Sequence, residues 1–208
     1  AYLRFSTEKY GGMILSTWLD RPLSVAGRVT VREGDGFRVK NVNFGEPCVI
    51  IPNVAIHMTR TAGADSALNP AGDLIPLMGT KAAEPDFAAR LEAAAGADKK
   101  DILSADLFVY NPQDGVSFGD LIAAPRLDDL QSVYGALCAF LTVKTPKAMP
   151  VFALFDNEEV GSTTKQGAAS TFLADILQRV TDALGESESE YRRKLACSLM
   201  VSCDNAHA

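Results

Sequence analysis

No stretch of eighteen consecutive apolar residues occurs in this chain, so its sequence contains no transmembrane helix. Residues 1–20 also lack the basic-then-apolar pattern of a secretory leader. Cations are outnumbered, with 20 Lys and Arg against 26 Asp and Glu and a net charge of −6. That balance argues against a nucleic-acid partner, because phosphate binding needs clustered Lys and Arg. Cysteines number four, at Cys48, Cys138, Cys197 and Cys203, with no CxxC spacing. Three of them lie in apolar runs, which leads us to expect reduced, buried thiols in a cytoplasmic protein rather than a disulfide framework. Histidine is scarce, with His57 and His207 alone. No internal repeat or low-complexity segment is evident. What the chain does have is the balance of a globular protein, 47 % hydrophobic and 22 % charged over 208 residues. That length accommodates one large or two small domains with a real core. The sequence starts at Ala1 without an initiator Met and stops at Ala208, and neither end reads as the end of a domain, so a fragment of a longer protein is expected.

Two compositions follow one another. From Gly12 to about Ile56, the runs "MILSTWLD", "LSVAGRVTVRE", "FRVKNVNFG" and "CVIIPNVAI" predict strands separated by Gly, Asp and Pro turns. "REGDGF" reads as a hairpin, with Asp35-Gly36 supplying the positive φ angles of a tight turn. An Ala- and Gly-rich region follows, with one helix in "EPDFAARLEAAAG" ended by Gly96, and then a strand in "DLFVYNP". After a boundary near residue 117, helices and strands alternate. Leu130, Val133, Leu137, Phe140 and Leu141 recur at helical spacing from about Asp128. "MPVFALFD" reads as a strand covered on both faces, "GAASTFLADILQRVTDAL" as a helix, and "ESEYRRKLACSLMVSCD" as a helix leading into a buried strand. This rhythm predicts a mainly parallel, three-layer α/β domain, beside a separate or inserted β-rich one.

Acids fall at one position in that architecture. Asp156, Glu158 and Glu159 follow the first of these strands, Asp204 follows the second, and Asp128 begins a helix. The carboxyl ends of strands in an open α/β sheet form the rim where ligands bind. Carboxylates converging there need a cation, and a divalent metal or a pair of them is the economical one. Each acid has a plainer reading: Asp128 as a helix N-cap, Asp204 as a loop residue, Glu158-Glu159 as a solvated turn.

The segments "WLDRPLSVAGRV" (18–29), "IPNVAIHM" (51–58), "APRLDDL" (124–130), "DNEEVGS" (156–162) and "SCDNAHA" (202–208) resemble, in order, those of the aspartyl aminopeptidase family of dinuclear zinc exopeptidases. The resemblance runs from about Glu8 to Ala208. It implies a three-layer α/β/α zinc-exopeptidase domain with an inserted β-rich dimerisation domain. Residues 1–17 would then edge the catalytic domain, 18–117 form the insertion, and 118–208 continue the catalytic domain. It also implies Glu158 as general base and Glu159, Asp128 and Asp204 as metal ligands, with Asp128 bridging two Zn2+ ions. Asp129 stands where Asn is common. His207 would lie behind the ligands, and His57 would reach the active site of a partner subunit and hold substrate there. The implied reaction is removal of an N-terminal residue, Asp or Glu, from a peptide by a zinc-activated water. The implied assembly is a homo-oligomer, a dimer building to a dodecamer, without nucleic acid or membrane.

The same resemblance exposes a deficit. Such a site takes two histidine ligands from segments that contain neither His57 nor His207. The isolated chain is therefore expected to hold zinc weakly and to be inactive. Two other functions fit the same residues: a non-catalytic truncated assembly module, and a related dinuclear zinc hydrolase with another substrate.

Overall fold

A computed structural model describes residues 1–55, 57, 68–83 and 85–206. The chain forms two compact units: Ala1–Lys9 with Met13–Val116, and Tyr10–Gly12 with Ser117–Ala208.

The first unit is built around one long strand. β1 spans Tyr2–Arg4, β2 Pro22–Glu33, β3 Gly36–Asn43, β4 Val49–Ile50, β5 Leu77–Thr80 and β6 Ile102–Tyr110. β2 pairs antiparallel with β3 over Ala26–Glu33 and with β6 over Ser24–Val31, so these two strands flank it. β4 pairs with its first residues, β5 joins β4, and β1 closes the order. Period-two alternation puts Leu23, Val25, Val29 and Val31 on one face of β2, and all four are buried. Leu23 packs with Val49, Ile51 and Leu74 into one core, and Val29 and Val31 with Val42 and Ala95 into another. The exposed face carries an Arg28–Asp106 ion pair at 2.9 Å, directly across the β2–β6 register. Both partners are about half exposed, so the pair contributes little beyond register.

Local chemistry sets the ends of these elements, with three departures from the sequence reading. The hairpin turn is Gly34-Asp35 rather than Asp35-Gly36: Gly34 takes the positive φ, 60°, and Glu33 faces Gly36. A glycine at the first turn position is what a type II′ hairpin requires. "MILSTWLD" is not a strand but contains a 3-10 helix, Leu15–Trp18, because a helical turn brings Leu15, Trp18 and Leu19 together onto the first core. Residues 1–9 fold with the β-rich unit rather than edging the other, since β1 pairs with β5 and Phe5 stacks on Phe87 at 4.9 Å. The short helix α1 (Pro70–Asp73) and α2 (Phe87–Ala95) complete this unit. In α2, Asp86 caps the first turn through the Ala89 amide, and Gly96 ends the helix in the left-handed region.

The second unit holds β7 (Val116–Phe118) paired with β8 (Leu121–Ala123), then helices α3 (Leu127–Thr142), α4 (Phe172–Ala183) and α5 (Glu188–Ala196). α5 opens with a reciprocal capping box between Ser187 and Glu190, whose hydrogen bonds hold the Glu190 carboxyl below its ordinary range. Helices and sheet together give the α/β class. The strands expected in 150–155 and 199–203 do not form; both segments are irregular. A strand exists only through its ladder, and neither segment is part of one among the described residues. In the second segment the apolar side chains are exposed, Leu199 at 90 % and Met200 at 81 %, whereas in the first Phe152 is half-buried against Phe140. Among the described residues, every buried hydrophobic side chain belongs to the first unit. The cysteines also depart from expectation: Cys48 and Cys138 are half-buried, and Cys197 and Cys203 exposed. Burial pushes the Cys48 thiol above its usual pKa.

Candidate metal centre

The centre is built where α3 begins. Arg126 enters with φ of 64°, and Asp128 and Asp129 keep non-helical angles, so the regular helix starts after them. The Asp128–Asp129 peptide is cis. From the far end of the chain comes Asp204. Among the described residues, one trio of possible metal donors forms: carboxylate oxygens of Asp128, Asp129 and Asp204 lie within 4.8 Å of one another. Asp128 and Asp204 are exposed, whereas Oδ1 of Asp129 is enclosed and has no hydrogen-bond donor. A carboxylate oxygen withdrawn from water without a partner is costly, and three acids this close repel one another. A divalent cation relieves both, and carboxylate oxygens are accepted ligands for zinc as for harder metals. The residues present therefore fit a metal, with oxygen donors alone.

The loop that delivers Asp204 is tied down by its neighbour. The Asn205 side-chain amide donates to the Leu127 carbonyl at 2.8 Å, and its carbonyl accepts from the Ser132 hydroxyl at 3.3 Å. Its own backbone amide donates to the Asp204 carboxylate at 2.7 Å. One side chain thus fixes the last acid against the element that carries the other two.

Glu158 and Glu159 sit in a second structure, a 3-10 helix over Glu158–Val160. Asn157 before it and Gly161 after it are both left-handed, at φ 62° and 94°. Its closing bonds run from the Gly161 amide to the Glu158 carbonyl at 2.8 Å and from the Ser162 amide to the Asn157 carbonyl at 3.1 Å. Asp156 accepts the Asn157 amide at 2.8 Å, which gives that acid a structural task. Consecutive residues of a 3-10 helix diverge by roughly 120°, so neighbouring glutamates address different directions. Neither glutamate joins the aspartate trio. Of the residues singled out in the sequence, Asp128 and Asp204 are brought together, and Glu158 and Glu159 stand side by side on the turn. His57 is exposed in the first unit, and His207 lies outside the described residues.

The family model described as aminopeptidase I zinc metalloprotease (M18) matches residues 1–208. The chain belongs to the M18 aminopeptidase family. A probable M18 family aminopeptidase 2 of Clostridium acetobutylicum is 42 % identical over 217 residues, covering 100 % of this chain and 50 % of the relative. Among solved structures, mApe1 of Chaetomium thermophilum superposes with a TM-score of 0.74 at 29 % identity, over 89 % of this chain and 47 % of that one. The mApe1 dodecamer of S. cerevisiae gives 0.64 at 26 % identity, over 88 % and 43 %. The chain thus spans about half the length of the curated M18 relatives it matches.

Sequence reasoning passed over three features of this M18 chain. Asp129 belongs to the trio, and the doubled acid in "LDDL" was its signal. Asn205 acts as a clamp, for which a lone Asn after an Asp gives no specific sign. Tyr10–Gly12 belongs with the acidic turn although some 145 residues separate the two in sequence, and only the Gly11-Gly12 pair marks it.

Proposed function

We propose that the complete protein, this chain with the flanking sequence that makes up the other half of its relatives' length, is a zinc aminopeptidase that removes N-terminal Asp or Glu from peptides. The observation that supports it is the convergence of Asp128, Asp129 and Asp204 around an enclosed, donorless carboxylate oxygen. Asp128, Asp204 and Glu159 would hold two zinc ions, together with histidines from the flanking sequence. Zinc, when bound, supplies Lewis acidity toward the scissile carbonyl and lowers the pKa of water. Glu158 takes the proton of the attacking water and hands it to the departing amine. Its seat on a short helix closed at both ends by left-handed residues fixes the backbone from which that side chain departs. The free amino terminus of the peptide, a cation, would be attracted to the same cluster of acids.

His57, exposed on the β-rich unit, would serve the active site of a second subunit and hold substrate there. That role requires assembly, in which the β-rich unit would pair subunits into dimers and then a dodecamer, the state named for the S. cerevisiae mApe1 relative. Four unpaired cysteines suit a reducing, cytoplasmic setting.

The test is hydrolysis of Asp-, Glu- and Leu-anilides by the complete protein and by the 208-residue chain alone. The complete protein should cleave the acidic substrates and lose that activity to a chelator, while the chain alone should be inactive. A chelator-sensitive rate from the chain alone would overturn the need for further ligands. Preference for Leu-anilide would overturn the acidic specificity.

A further inference from the structure

The acidic turn is seated on a piece of backbone that carries none of the acids. Tyr10–Gly12 belongs to the second unit, although Lys9 before it and Met13 after it belong to the first. Gly11 has φ of 68°, and a methyl group built on it would lie 2.1 Å from the Glu159 carbonyl oxygen and 2.8 Å from the Glu159 Cβ. Real Cβ contacts essentially never fall under 3.0 Å, so any side chain here drives the turn away by close to an ångström. Gly12, next in sequence, would meet nothing within 4 Å. Tyr10 adds a polar hold: the Asn157 side-chain amide donates to its hydroxyl, while the Asn157 side-chain oxygen Oδ1 accepts from the Thr164 hydroxyl at 2.9 Å. Asn157 is the residue from which the 3-10 helix springs. One tyrosine and one absent side chain therefore fix both the start of the turn and the backbone of Glu159.

We propose that Tyr10 and Gly11 are positioning residues for the two glutamates: Gly11 sets how deeply Glu159 sits, and Tyr10 sets the direction in which Glu158 and Glu159 leave Asn157. The inference rests on the aminopeptidase reading for what the glutamates do, but the positioning itself is a property of the turn. Misplacement of a reacting group by about 1 Å costs roughly 10²-fold in rate even when the change lies outside the chemistry.

The experiment compares Gly11→Ala with Gly12→Ala and Gly119→Ala in the complete protein. Gly119 also has positive φ, 59°, but open space around it, so it reports the cost of backbone strain alone. Gly11→Ala should lower kcat about 100-fold with KM within about twofold, and should change the visible spectrum of the cobalt-substituted enzyme. The other two should match the unaltered protein in both. Amide exchange at Gly161 and Ser162, whose hydrogen bonds close the turn, should quicken about tenfold in Gly11→Ala only. Equal kcat, spectrum and exchange in all three variants would overturn the proposal. Should Gly11→Ala fail to fold, Tyr10→Phe decides: a fivefold to tenfold loss of kcat with an altered cobalt spectrum supports it, and an unchanged pair of readings overturns it. An unaltered protein without metal-dependent activity would sink the functional reading alone, because the exchange rates still report on the turn.

Discussion

Glu158→Gln should leave the metal content of the complete protein intact and cut turnover by roughly 10²–10⁴-fold, the range for lost acid–base catalysis. The amide has the size of the carboxylate and can still hydrogen-bond to water, but it cannot take the proton. The turn should survive the change, since its closing bonds are made by the Glu158 backbone carbonyl and by Asn157, not by the Glu158 side chain. KM should move little, because the proposed role of Glu158 is to move a proton and not to hold the peptide. Metal analysis alongside steady-state kinetics checks this. A variant that retained more than a tenth of kcat would show that Glu158 is not the base.

Glu159→Gln should do the reverse. Its neighbour diverges from it by roughly 120° on a 3-10 helix, so the two side chains serve different partners. With one charged oxygen donor gone, zinc affinity should fall by at least about 10²-fold, more than the loss seen for residues that merely support a ligand. Activity should then return in part as zinc is raised in the assay. Isothermal titration of the metal-free variants reads this directly. Should Glu158→Gln lose the metal and Glu159→Gln keep it, the two roles are exchanged. The trio of Asp128, Asp129 and Asp204 supplies a further contrast, since it brings three acids together without either glutamate.

The pattern of residues announces those parts of the fold that neighbours in sequence can decide. The alternation Leu23, Val25, Val29, Val31 settles β2, and Asp86 with Gly96 brackets α2 from both ends. Where an element depends on what lies beside it, the pattern misleads. "PVFALF" and "SLMVS" have the apolar character of strands, yet neither joins a ladder among the described residues, and most of their side chains, Phe152 and Ala153 apart, are exposed. "MILSTWLD" has strand composition, but the spacing of Leu15, Trp18 and Leu19 lets a single helical turn bury all three.

The candidate site divides in the same way. Acid-rich segments stand out in any sequence, which is why Asp128, Glu158, Glu159 and Asp204 were legible. Asp129 stands out in the sequence only as the second acid of "LDDL", at a position where Asn is common. Here non-helical backbone at both positions lets the two side chains face the same place. Tyr10 and Gly11 were invisible for another reason. Their importance lies in a contact with Asn157 and Glu159 across nearly 150 residues, and a glycine that makes room looks the same in sequence as one that merely bends.

Anomalous scattering at the zinc edge from crystals of the complete protein tests directly whether these acids hold the metal. Two peaks are expected at the acidic centre, one or both about 2.0–2.2 Å from carboxylate oxygens of Asp128 and Asp204, with Glu159 on one of them. Full aminopeptidase activity in crystals that show no anomalous density beside Asp128 and Asp204 would contradict that expectation.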